Sequence, residues 1–238
     1  MEYKNYKSIE EFYVVLSHSD IKYVVLRNYE NMHKDNFFVG GHEDIDILVD
    51  DVDKFVAATG VVPKMWPEDK WHFIVFIEGM GIPLDVREVG DCYYDPKWEA
   101  DILERRQIAD NGNWFVMSEN DYYYTLAYHS ILQKYQTSQE YIKRLDSMAE
   151  KLGLNVQGEK HHLKQLDVFM KTCKYKYTPP KDTSVSLMLS KMKNKTKIVR
   201  CMGGVQLYCK TLHQKSYCVS LQKSVLAPHR LQPENWKT

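Results

Sequence analysis

The chain has 238 residues, 44% of them apolar, with 32 basic side chains against 32 acidic ones. That length and composition allow one large domain or two small ones with a sizeable core, and no stretch approaches the ~18 consecutive apolar residues of a membrane span. Five cysteines (Cys92, Cys173, Cys201, Cys209 and Cys218) make an odd count with no CxxC pair, which supports neither a disulfide framework nor a structural zinc site.

The opening residues Met1-Glu2-Tyr3-Lys4-Asn5-Tyr6 lack the apolar run of a signal peptide, so a soluble cytoplasmic protein with reduced thiols is expected. The zero net charge conceals an asymmetry. Residues 1–150 carry 15 Lys+Arg and 28 Asp+Glu, whereas residues 151–238 carry 17 and 4, so the parts stand at −13 and +13. That division suits a polyanionic ligand held near a metal, or two parts that attract each other.

Ser8-Ile9-Glu10-Glu11 reads as a capping box opening a helix over 9–18, with Ile9, Phe12, Val15 and Leu16 at helical spacing. The β-branched and aromatic run from Ile21 to Arg27 predicts a buried strand, and the Asn-rich stretch from Asn28 to Gly41 a loop. The strand carrying Asp44 and Asp46 follows, and then a helix capped within Asp50-Asp51-Val52-Asp53 that stops at Gly60. His72–Glu78 and Ile82–Val89, joined by Gly79-Met80-Gly81, predict an antiparallel hairpin. Helices are expected from Trp98 to Ile108, from Ser118 through Gln133, from the box Thr137-Ser138-Gln139-Glu140 to Gly153, and from His161 to Cys173. Trp114–Met117 reads as a short strand between the first two of these. Beyond Pro179-Pro180, Ser184–Met192 reads as helical, and Ile198–Arg200, Val205–Tyr208 and Tyr217–Leu221 as short strands. The fold class is therefore α+β. A mixed-sheet core over 1–117 precedes a helical bundle over 118–180, and a basic segment over 181–238 is a small β element or a truncated domain.

The chemistry concentrates in Phe38-Val39-Gly40-Gly41-His42-Glu43-Asp44-Ile45-Asp46-Ile47-Leu48-Val49-Asp50. Residues i and i+2 of a strand share a face, so Asp44 and Asp46 project together while Ile45, Ile47 and Val49 face the other way. Paired carboxylates repel unless a cation lies between them, and hard oxygen ligands suit Mg²⁺ or Mn²⁺. Asp85 stands between Leu84 and Val86 in a strand of the predicted hairpin, where an aspartate is disfavoured unless it has a role. Asp44, Asp46 and Asp85 are thus the candidate metal ligands. Asp50, Asp51 and Asp53 are better explained as helix caps, His161-His162 lacks a spaced third ligand, and Tyr122-Tyr123-Tyr124 with Tyr128 reads as bundle core and its rim before a base-stacking platform. Arg87 shares a face with Asp85 and either pairs with it or binds a phosphate. The run from Lys191 to Lys197 reads as a solvated face.

The order helix, strand, loop, Gly-Gly-x-x-Asp-Ile-Asp-Ile-Leu-Val strand, helix, and hairpin bearing a strand aspartate resembles the nucleotidyltransferase superfamily. That fold is shared by DNA polymerase beta, the poly(A) polymerases and small bacterial nucleotidyltransferases. The resemblance covers residues 8 to 90. It implies that Asp44 and Asp46 are the paired metal ligands and Asp85 the third carboxylate, with Mg²⁺ or Mn²⁺ as cofactor. It further implies a nucleoside triphosphate as donor and a small molecule or glycan precursor as acceptor, with nucleic acid not favoured. The family's Gly-Ser should follow Val24-Val25-Leu26, but Arg27-Asn28 stands there, and Gly40-Gly41 come just before the aspartates. This variant is similar to an atypical branch found among surface-polysaccharide genes. It implies that Arg27, Asn28, Gly41 and Arg87 orient the triphosphate, a guanidinium replacing the backbone cradle. Two rivals remain at this level: an Asp-x-Asp glycosyltransferase using a nucleotide sugar, and a non-catalytic module that keeps the fold.

Overall fold

The computed structural model describes residues 3–32, 44–66, 69–110, 112–188 and 191–192, together with the backbone of 198–202 and 205–209. Two compact units divide the chain, Met1–Tyr208 and Cys209–Thr238. The first is α+β, with six α-helices among the described residues and a mixed sheet. Its strands are β1 (Asn5–Tyr6), β2 (Tyr23–Val25), β3 (Ile45–Val49), β4 (Val62–Pro63), β5 (His72–Ile77), β6 (Met80–Glu88), β7 (Gln107–Ile108) and β8 (Phe115–Val116). They lie in the order β1-β5-β6-β3-β2-β8-β7, with β4 also on β5. The pairs β1/β5, β3/β6 and β2/β8 are parallel and the others antiparallel. β9 (Ile198–Met202) and β10 (Val205–Cys209) pair as a separate two-stranded sheet.

Strand alternation divides the apolar side chains between the two faces. On one face Tyr23, Val25, Ile45, Ile47, Val49, Leu84 and Val86 pack with Phe12, Tyr13 and Leu16 of α1 (Ile9–Ser17) and Phe55 of α2 (Val52–Thr59). On the other, Val24, Leu26 and Leu48 pack against α3 (Pro96–Glu104), α4 (Glu119–Ala127), α5 (Gln139–Lys151) and α6 (Glu159–Thr172). Helices thus cover both faces, which is why all five residues of β3 are buried. Each large side chain so buried contributes on the order of 1.5–3 kcal/mol.

The caps fall mostly as their chemistry requires. Ser8 accepts from Glu11 N at the start of α1, Asp51 from Lys54 N at the start of α2, and Gly60 ends α2 with φ +63°. Other boundaries move. The hairpin turns at Glu78-Gly79, both at positive φ (+52° and +79°), so Met80 and Gly81 belong to β6. The helix expected from Trp98 starts at Pro96, because Asp95 caps it through Lys97 N and Trp98 N, and ends at Glu104. Ser138, not Thr137, caps α5; the Thr137 hydroxyl donates to Ser130 O at 3.0 Å. The helix opened by Ser118 stops at Ala127 and continues as a π-helical segment, Tyr128–Leu132. Residues 184–188 are not helical; Asp182 folds them instead by accepting from Ser184 N and Oγ. The strand expected at 217–221 lies outside the described residues.

Two buried polar groups tie the helices together. His162 sits between the Tyr123 hydroxyl (2.8 Å) and the Asp146 carboxylate (2.7 Å), joining α4, α5 and α6 and accounting for that histidine without a metal. Asp121, in the first turn of α4, accepts from Trp98 Nε1 at 3.0 Å, from Arg105 Nε and Nη2 at 2.9 and 2.7 Å, and from Ser118 Oγ at 2.7 Å. Asp121→Ala is expected to cost about 2 kcal/mol in urea unfolding, because it orphans the buried indole N–H and takes from Arg105 the closer of its two carboxylates. Asp121→Asn, which keeps one acceptor, is expected to lose less.

Candidate metal and anion site

The parallel register of β3 and β6 sets Asp46 directly beside Asp85, and Asp44 immediately precedes β3. One oxygen from each of Asp44, Asp46 and Asp85 lies within 4.8 Å of the other two. The three predicted ligands therefore converge. Like charges side by side on neighbouring strands oppose folding unless something neutralises them. Asp46 is 3% exposed, and its carboxyl is pushed up to about 6. Burial is the largest cause, Asp44 and Asp85 add to it, and the Arg27 guanidinium opposes it. Asp85 is raised too, first by burial and further by Asp44, against Arg87.

Arg27 enters from the end of β2. The Leu26 N–H donates to Asp46 O at 2.8 Å, which carries the β2/β3 pairing to the edge of the site. The buried Arg27 guanidinium then meets Asp46 two-pronged, Nε donating to Oδ2 at 3.1 Å and Nη2 to Oδ1. Its remaining Nη1 donates to the Tyr93 hydroxyl at 3.2 Å. Arg27 thus lies in the site as expected, with three of its five N–H groups given to Asp46 and Tyr93.

Arg87, 3% exposed, donates from Nη1 to Asp182 Oδ2 at 2.7 Å and lies 4.0 Å from Asp85. The expected pairing with Asp85 is present as that 4.0 Å approach, and the shorter bond goes to a residue 95 positions away in the chain. Among the described residues Arg87 Nε has no hydrogen-bond partner. The Tyr93 ring lies under both guanidinium groups, 4.5 Å from Arg87 and 5.9 Å from Arg27. His72, opposite Asp85 on β5, is held by Asp69 through Nδ1 at 3.2 Å, and its Nε2 is 3.8 Å from Asp182. Asn28 takes a left-handed conformation (φ +59°), and its Oδ1 accepts from Arg144 Nη1 at 3.1 Å. Gly41, the remaining predicted residue, lies outside the described residues.

The loop that presents Tyr93 is shaped by two buried acids. Asp91 accepts from Tyr93 N at 2.7 Å, and Glu99 accepts from Gly90 N and Tyr94 N at 2.7 and 2.8 Å. Burial, and then the Asp91 charge, hold the Glu99 carboxyl well above the usual glutamate range. The folded protein therefore keeps a proton there that the unfolded chain releases. This contribution to stability is complete below the unfolded glutamate value of ~4.5 and is lost as pH rises toward the folded one. In Glu99→Gln the decline of melting temperature from pH 5 to pH 8 is expected to be shallower than in the parent.

These groups open onto one cavity of about 230 Å³. Its lining also includes His129, Gln133, Lys134 and Tyr141 from the helical segment, and Ser184 from the strap after Asp182. None of these, nor Tyr93, His72 or Asp182, was marked by the sequence, because their meaning depends on long-range placement. The donor set suits a hard divalent ion: three carboxylates, one oxygen of each within reach of a common centre, and a repulsion that such an ion would relieve. Among the described residues, no helix is long and apolar enough to cross a membrane. Compared with protein-family models, curated proteins and solved structures, the chain has no match.

Proposed function

We propose that this chain is a metal-dependent nucleotidyltransferase that moves a nucleotidyl group from a nucleoside triphosphate to the hydroxyl of a small molecule or glycan precursor. The observation that carries the reading is the convergence of Asp44, Asp46 and Asp85 in a cavity that Arg87 and Lys134 also line. The α+β fold with its mixed sheet is compatible with the superfamily core that the Gly-Gly-x-x-Asp-Ile-Asp strand resembles. Asp44, Asp46 and Asp85 would hold Mg²⁺ or Mn²⁺. The ion supplies charge neutralisation for the triphosphate and for the departing pyrophosphate.

The side chains do the rest. Arg27 fixes the orientation of the Asp46 carboxylate through its two-pronged contact, so the oxygens are set before a ligand arrives. Arg87 and Lys134 draw the phosphates toward the acidic end of the cavity. The acceptor oxygen bonds to the α-phosphorus, the α–β bridging P–O bond breaks, and pyrophosphate leaves. The hydroxyl proton passes to Asp85.

The Arg27–Asp46 pair favours a second reading, in which the guanidinium replaces the ion and the fold binds nucleotide without catalysis. One experiment separates the two. The first expects Mn²⁺ binding, seen by electron paramagnetic resonance, and Mg²⁺-dependent pyrophosphate release with at least one of the four nucleoside triphosphates. Nucleotide binding without either signal would establish the second.

A further inference from the structure

The cavity has two chemically different ends. One holds Asp44, Asp46, Asp85, Arg87 and His72, the charged groups suited to an ion and phosphates. The other is built from Tyr93, His129, Gln133 and Tyr141, side chains that offer uncharged hydrogen-bonding groups and an aromatic ring.

His129 is the centre of the second end. It stands in the π-helical segment Tyr128–Leu132, whose wider turn changes the direction in which its side chains leave the helix. Gln133 donates from Nε2 to the Tyr93 carbonyl at 3.0 Å, so its Oε1 is the atom turned to His129 Nδ1, at 3.2 Å. The Tyr93 hydroxyl, which already accepts from Arg27, lies 3.1 Å from the same nitrogen. The Gln133 amide oxygen can only accept, which places the proton on Nδ1. Nε2 is then left as a bare acceptor, without a protein hydrogen bond among the described residues. Burial, with Arg27 and Lys134 nearby, holds the imidazole well below its usual value and therefore uncharged at neutral pH. Tyr141 packs edge-on to the imidazole with centroids 6.0 Å apart.

We propose that His129 reads the nucleobase, accepting through Nε2 a hydrogen bond from the exocyclic amino group of adenine or cytosine. This deepens the nucleotidyltransferase reading and rests on it, since the nucleotide enters the same cavity. A neutral acceptor suits an amino-bearing ring better than a phosphate, which would meet the lone pair with its own. The base lies toward Tyr141 while the phosphates run toward Asp46 and Asp85.

Calorimetric titration of the full chain with Mg²⁺ compares ATP with N6,N6-dimethyl-ATP, and CTP with UTP. One neutral hydrogen bond predicts a five- to tenfold preference, at roughly 1 kcal/mol, for the amino-bearing member of each pair. His129→Asn keeps a polar atom near Nδ1 but none at Nε2, and the preference is expected to vanish. His129→Gln carries a polar atom near Nε2, and part of the preference is expected to return. Equal affinities in the parent, a preference that survives in His129→Asn, or no nucleotide binding at all would each overturn the inference. If His129→Asn does not fold, the parent comparison decides alone. Mn²⁺ resonance on the same samples isolates the acidic end. Binding that His129→Asn leaves unchanged, combined with equal nucleotide affinities, removes the base reader and leaves the metal reading standing. A base preference without Mn²⁺ binding does the reverse.

Discussion

Arg27→Ala is expected to lower stability by about 3–5 kcal/mol, and Asp46→Ala to do the same, measured by urea unfolding of the full chain without added metal. Both side chains are buried, 8% and 3% exposed, and each is the other's main ionic partner. Removing one leaves a charge in a low-dielectric site that water reaches poorly, and that residual charge dominates the loss. For a unit of this size the melting temperature should fall by roughly 10 °C. The paired substitution Arg27→Met with Asp46→Leu leaves no charge behind and is expected to recover most of the stability. A double variant as unstable as the singles would show that the pair itself, and not the stranded charge, stabilises the fold. The same reasoning bears on the choice of catalytic variant. Asp46→Asn, which the strand motif alone recommends, strips a carboxylate from Arg27, so lost activity there would mix misfolding with chemistry.

Asp85→Asn is the cleaner substitution. Asp85 faces the other two carboxylates, and its only ion pair among the described residues is the 4.0 Å approach of Arg87, whose closer partner is Asp182. Removing its charge relieves repulsion in the metal-free protein, so the variant is expected to fold and to be at least as stable as the parent. Mn²⁺ affinity is expected to fall about 100-fold, and turnover roughly a hundred- to a thousandfold. The parent should gain about 2.7 kcal/mol of stability at a Mn²⁺ concentration 100 times its dissociation constant, and the variant almost none at that concentration. Equal stabilisation of both proteins by Mn²⁺ would remove Asp85 from the site.

Much of the framework was legible because its signals are local. β3 follows from the alternation of Ile45, Ile47 and Val49 with Asp46 and Leu48, and α2 from Asp51 before it and Gly60 after it. The β5/β6 hairpin follows from two apolar runs around a glycine turn, and only its turn residues shifted, to Glu78-Gly79. The tyrosines at 122–124 and 128, read as bundle core and its rim, are all buried. The break from α-helix to π-helix at Tyr128 carried no comparable mark, since apolar periodicity continues across it. Nor did the strap at 178–188. Its conformation is set by Thr178 on Tyr94 O, Lys181 on Asp91 O and Asp182 on Arg87, all contacts to distant segments.

For the site, the sequence by itself determined which residues carry charge and which strand faces they share. Asp44 with Asp46, and Asp85 with Arg87, follow from a period of two. That Asp46 and Asp85 are neighbours was decided by the parallel register of β3 and β6, a long-range choice that no local pattern encodes. Tertiary structure also decided what each charge does. Arg27 is 19 residues from Asp46 and Asp182 is 95 from Arg87, so neither pairing could be read from spacing. A guanidinium that the sequence offers to a phosphate is, in the fold, buried against the Asp46 carboxylate. The physical reason is desolvation: burial makes an unpaired charge so costly that the nearest opposite charge in space, wherever it lies in the chain, sets its role.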